Sequence, residues 1–92
     1  MNRRVSVYLE TLIYDVLRRG HEYEAHRKRL LSSLIALKIQ AERSPGSITG
    51  ALVRNQWEDV KETYKFVHPK LLVKLNRDVE LQKEFKDFLF MK

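Results

Sequence analysis

The chain contains no cysteine. Disulfides and thiolate metal sites are therefore excluded, and nothing points to an oxidising compartment. Three glycines and two prolines are too few for the many turns of a β-rich fold but suit long helices. No glycine-rich phosphate loop exists. The longest uncharged runs, Leu30–Leu37 and Ser44–Val53, fall well short of the ~20 apolar residues needed to cross a bilayer. The basic opening Met1–Arg4 meets Glu10 and Asp15 before an apolar stretch can build, so no secretory leader is expected. The expected setting is soluble, intracellular and cytoplasmic, alone or attached to a nucleoid or a larger complex.

Signs of catalysis are also missing. His21 and His26 are five residues apart and face different sides of a helix, and neither they nor His68 has a second ligand at metal-binding spacing. Glu58, Asp59 and Glu62 sit beside Lys61 and Lys65 as ordinary surface pairs. Ser6, Ser32, Ser33, Ser44 and Ser47 have neither a partner base nor a nucleophile elbow. The reading is non-enzymatic, with no cofactor, no metal and no small-molecule substrate.

What the sequence does contain is a helical rhythm. Leu9, Ile13, Val16, Gly20, Tyr23, Arg27, Leu30, Leu34, Leu37 and Ala41 recur at alternating spacings of four and three, the coiled-coil-like pattern that keeps one helix face apolar. Arg18, Arg19 and Gly20 are stop signals, cations and glycine at a helix C-terminus. Because the apolar phase survives across them, one long helix over about residues 5–43 is expected, with Gly20 as the place for any kink. A glycine inside a helix costs about 1 kcal/mol, which a long packed helix absorbs.

Ser44-Pro45-Gly46-Ser47 is the clearest break, giving a turn over 44–48, with Ser47 or Thr49 as the next cap. Val53, Trp57, Val60, Tyr64 and Val67 repeat the rhythm on a helix over about 49–67, which folds back and buries Trp57. Pro69 is well placed to open a helix, giving a short one over about 69–75 with Leu71, Leu72 and Leu75 inward. Asn76-Arg77-Asp78 is expected to be a joint, Asp78 capping a last helix over about 79–90. The expected architecture is one all-α domain over 1–92, an antiparallel hairpin of two long helices closed by short C-terminal ones.

Lys and Arg outnumber Asp and Glu eighteen to twelve. Around Gly46 the excess is four in the first half and two in the second, a lean without a tail, which favours an anionic partner moderately. The densest cluster is Arg18, Arg19, His26, Arg27, Lys28 and Arg29, diluted by Glu22 and Glu24. On one continuous helix Arg18, Glu22, His26 and Arg29 run down one side, a strip able to follow phosphates. The alternative is a solvated face or a meeting point for an acidic protein patch. Only Tyr23 is aromatic there, so no base-stacking platform is expected. Arg27 stands on the seam itself, most simply at its widened edge.

Gln82-Lys83-Glu84-Phe85-Lys86-Asp87-Phe88-Leu89 resembles the short peptide by which replication and repair proteins hold the sliding clamp. Phe85 stands where an aliphatic residue is usual, and Leu89 where a second aromatic is expected. The resemblance implies a peptide free to wrap onto its partner. Helical spacing implies instead that Leu81, Phe85, Phe88 and Leu89 form a buried face. One helix cannot point all of Phe88, Leu89, Phe90 and Met91 inward, and these four with Phe85 are candidates for contact with a protein partner or a second copy.

The function expected is that of an accessory subunit in a DNA- or RNA-handling complex, touching protein through apolar faces and anionic surface through the cations. The alternative is a self-associating helical scaffold or viral structural protein with no nucleic-acid contact. A DNA-reading helix-turn-helix over His68–Lys92 is disfavoured by that segment's apolar density. No membrane partner is expected.

Overall fold

The computed structural model describes residues 2–43 and 50–90. Among these the chain is all-α, with no strand. The helices are α1 (Arg3–Arg18), α2 (Arg27–Glu42), α3 (Gly50–Val67), α4 (Pro69–Leu81) and α5 (Lys83–Leu89), and a 3₁₀ turn, Gly20–Tyr23, joins the first two. The turn expected at 44–48, its Ser47 or Thr49 cap and Met91 lie outside the described residues.

The rod expected over 5–43 is two helices. A straight helix of that length would measure about 58 Å, whereas the longest dimension of the molecule is 37 Å. The stop signals prevail. Arg19 N–H donates to the Asp15 carbonyl (3.0 Å), Glu22 N–H to the Arg19 carbonyl (2.8 Å) and His26 N–H to the Tyr23 carbonyl (2.8 Å), closing the turn. Arg27 folds over Gly20, where a Cβ would stand 3.4 Å from its Nε. The chain then returns antiparallel. Asn2 N–H reaches the Ala41 carbonyl at 2.7 Å, and the Ser6 hydroxyl donates to Glu42 at 3.0 Å. The long hairpin partner of α1 is thus α2, and α3 packs on α2 as a third helix. Asn2 caps α1, accepting from Val5 N–H at 3.2 Å.

Most seam positions are buried despite the reversal: Leu9, Val16, Tyr23, Leu30, Leu34, Leu37 and Ala41. From α3 come Val53, Trp57, Val60 and Tyr64. α4 opens at Pro69 but does not stop at Asn76-Arg77-Asp78. Leu71, Leu75 and Val79 continue one face at four-residue spacing, and Leu75 and Val79 are buried. Asp78 caps nothing at that point, because its carboxylate accepts the Tyr8 hydroxyl at 3.3 Å. The break comes at Gln82, whose backbone is extended.

α5 closes the core. Phe85 and Phe88 are fully buried and Leu89 nearly so. Phe85 packs edge-on to Tyr8 of α1 (5.5 Å between centroids) and against Trp57 of α3 (4.9 Å). The clamp-like peptide is therefore the buried face of a helix, and Phe85, Phe88 and Leu89 are committed to this chain's interior rather than to a partner. Phe90 alone of the described residues in that group is exposed.

Candidate anion-binding face

The six residues of the basic cluster gather at one end of the bundle, but not along one helix. Arg18 is the last residue of α1, Arg19 its C-cap and His26 the N-cap of α2, whose first turn is Arg27, Lys28 and Arg29. The strip Arg18–Glu22–His26–Arg29 does not form, because the chain reverses between its members.

Their charges are engaged unequally. Arg18 Nη2 (2.7 Å) and Arg19 Nε (3.1 Å) both hold Asp15 Oδ1, and Arg19 Nη1 also reaches Glu22 at 3.4 Å. Arg29 forks onto Asp59 of α3 through Nε (3.2 Å) and Nη2, and Ser33 donates to the same carboxylate at 2.9 Å. The hydrogen bonds from Arg29, and then Ser33, hold the Asp59 carboxyl below its usual pKa against the opposing effect of burial. Asp59 is thus a strut between α2 and α3. The surface pair beside it is Glu58 with Lys61, at 2.8 Å. Among the described residues Arg27 and Lys28 make no ion pair, and both are exposed.

The start of α2 is unusual electrostatically. A helix N-terminus carries partial positive charge and leaves its first N–H groups without intrahelical partners. Acidic residues and side-chain caps ordinarily satisfy it, yet α2 has no side-chain cap and no acid in its first turn. Three cations stand there instead. The repulsion costs about 0.3–1 kcal/mol per charge. An anion at this end relieves it.

The end of α3 adds a feature absent from the cluster in sequence. Phe66 is 78% exposed, and its ring stacks with that of His26, centroids 6.3 Å apart at 27°. Lys65 stands in the same last turn. The only sequence cue was Phe66's position one residue off the α3 seam.

Among the described residues no group of three or more His, Cys, Asp or Glu is placed to hold a metal ion, and no helix is long and apolar enough to cross a membrane. Comparison with protein-family models, with curated proteins and with solved structures returned no match for this chain.

Proposed function

We propose that this chain is a non-enzymatic binding protein, an accessory subunit of a DNA- or RNA-handling complex, whose α1–α2 end holds phosphates. The observation that supports this is the cationic, uncapped start of α2. Residues that oppose local folding stability are expected where function needs them. Arg27, Lys28 and Arg18 carry the phosphate contacts, with Lys65 alongside. The exposed Phe66–His26 stack offers a base a sequence-tolerant surface, which favours single strands.

Three or four such contacts predict a log–log salt slope of about −2 to −3 for a single strand. Affinity should therefore fall by about 15- to 60-fold between 50 and 200 mM salt. Fluorescence anisotropy with a short labelled single-stranded DNA, over a salt series, tests this. A flat salt dependence, or absence of binding at low salt, refutes it.

A second reading, self-association, is favoured by α2's apolar residues on two sides. Beyond its core face, α2 leaves Ile35 and Ile39, one turn apart, nearly half exposed, and α1 leaves Leu17 nearly half and Tyr14 more than half exposed. Sedimentation of the wild type and of Ile35→Asp distinguishes the two. A dimer abolished by Ile35→Asp supports the scaffold reading, and a monomer across the concentration range removes it.

A further inference from the structure

The turn that folds α1 back onto α2 is built from parts that a continuous helix could keep. Gly20–Tyr23 is 3₁₀, Glu24 has helical dihedrals (φ −45°, ψ −47°), and no described residue has a positive φ. The flanking departures from helix are at Arg19 (φ −101°, ψ 29°) and His26 (φ −122°, ψ −1°). The arginine pairs of the turn are local: Arg18 and Arg19 hold Asp15, and Arg19 holds Glu22, all at spacings of three or four. Those spacings are neighbours on any α-helix, so straightening keeps all three. It also satisfies what the reversal leaves open. The first N–H groups of α2 gain carbonyls one turn back, and Arg27, Lys28 and Arg29 no longer stand at a helix N-terminus.

The hairpin is in register about that same turn. Ser6 meets Glu42 (3.0 Å), Glu10 meets Lys38 (4.0 Å), and Arg27 lies over Gly20. All three pairs are centred on residues 23–24. Two straight helices over residues 3–42, laid antiparallel about that centre, bring the same residues opposite one another, now between two chains. The seam from Leu9 through Tyr23 to Ala41 stays on one side of each rod.

We infer that this chain dimerises with a second copy of itself by exchanging α1. The turn straightens, α1 and α2 become one helix, and each α1 takes the place of the other against α2 and α5. Val5, Leu9 and Val16 then enter the core of the second copy, and Tyr8 packs there on Phe85 as it does within one chain. Because both forms bury the same α1 interface, the turn and the protein concentration set the balance between them. The exchange uses neither bound phosphate nor the outward Ile35 and Ile39. It therefore stands or falls separately from the nucleic-acid reading and from a dimer formed through that surface.

The test is a distance within one chain. The sequence has no cysteine, so Arg3→Cys with Arg43→Cys, both at exposed positions, places two spin labels uniquely. Doubly labelled full-length chain is refolded from urea at high concentration with an excess of unlabelled chain, and the dimer fraction is isolated by gel filtration. In the folded-back form the two ends are neighbours, since Asn2 N–H reaches the Ala41 carbonyl at 2.7 Å. On a straight helix residues 3 and 43 stand about 60 Å apart. Dipolar spectroscopy of the dimer should give the long distance, and Ile35→Asp should leave that dimer intact. Two turn variants form an independent arm. His21→Pro occupies the second position of the 3₁₀ turn, where an N–H has no partner within the helix and Gly20 before it has no Cβ to clash. Inside a straight helix the same proline costs about a hundredfold per chain, so the dimer should vanish while the monomer keeps its fold. Gly20→Ala, whose Cβ would lie 3.4 Å from the flexible end of Arg27, should raise the dimer yield, by up to about fivefold per chain. A dimer showing only the short distance, a dimer yield unaffected by His21→Pro, or no dimer after refolding at high concentration overturns the inference.

Discussion

Lys28→Glu should make the protein more stable and bind nucleic acid less well. Lys28 is exposed in the first turn of α2, between Arg27 and Arg29, with no acidic residue in that turn. Its ammonium opposes the positive end of the helix dipole by about 0.3–1 kcal/mol, and a carboxylate at the same place gains a similar amount. Reversal is therefore worth about 1 kcal/mol, and neighbouring Arg27 and Arg29 add to rather than cancel the gain. In a domain of this size that is a rise in melting temperature of about 4–8 °C. The effect is a surface one, so most of it should disappear in about 1 M salt, where the screening length is near 3 Å. Lys65→Glu is the mirror control: Lys65 lies in the last turn of α3, where a cation is favourable, so reversal there should lower the melting temperature. Circular-dichroism melts at low and high salt give the stability arm. Anisotropy with single-stranded DNA gives the binding arm, in which the salt slope of Lys28→Glu should shrink by about 0.7, one phosphate's worth. A lower melting temperature for Lys28→Glu at low salt refutes the electrostatic account of α2. A higher one with unchanged DNA affinity keeps that account and removes the proposed role.

Phe85→Ala empties the centre of the α1–α3–α5 contact and should cost about 3–5 kcal/mol in urea unfolding, a large share of the 5–15 kcal/mol typical of a whole domain; a loss below about 1 kcal/mol would mean α5 is not part of the core. The Asp59 carboxyl is held below its ordinary 3.8 by its hydrogen bond from Arg29. A group depressed in the folded state contributes stability above its unfolded pKa and loses it as pH falls through the folded one. Asp59→Asn should therefore be less stable at pH 7 and show a shallower loss below about pH 4, which pH-dependent melting measures. At the alkaline end, burial raises Tyr8, Tyr23 (to about 12) and Tyr64 above 10.0, with Asp78 adding to the shift of Tyr8. Raised groups contribute stability below pH 10 and lose it above, so these three should ionise together with unfolding when followed by phenolate absorbance. Separate early titration of any one of them would place it in solvent.

The sequence revealed faces better than ends. Leu9, Val16, Leu30, Leu34 and Leu37 were legible as inward because a four-three rhythm reports the side of a helix that avoids water. The same rhythm is silent on whether the helix continues. A reversal between Arg19 and His26 preserves the phase while laying Val16 and Leu30 into one core. The stop signals Arg18, Arg19 and Gly20 stand in the sequence, and they end α1 although the apolar phase runs on past them. Asp78 shows the reverse: its residue type has the local preference of a helix N-cap, whereas its carboxylate serves Tyr8, seventy residues distant. No local reading weighs a bond across that separation.

The candidate sites divide along the same line. That Arg18, Arg19, Arg27, Lys28 and Arg29 share a neighbourhood could be read from the chain, because closeness in sequence keeps them close whether the segment runs straight or turns back. Which of them are free could not, since Asp59 removes Arg29 from across the α2–α3 interface and Asp15 holds both Arg18 and Arg19. The state of the Tyr64 hydroxyl was hidden for a stronger reason. The spacing of Tyr64 marks it as a core position, but a tyrosine differs from a phenylalanine by a hydroxyl whose satisfaction depends on the helices packed around it. That hydroxyl becomes a buried group without a hydrogen-bond partner among the described residues only once the helices have packed. A pattern of side chains along one helix carries the core; a site assembled from several helices is a property of their packing.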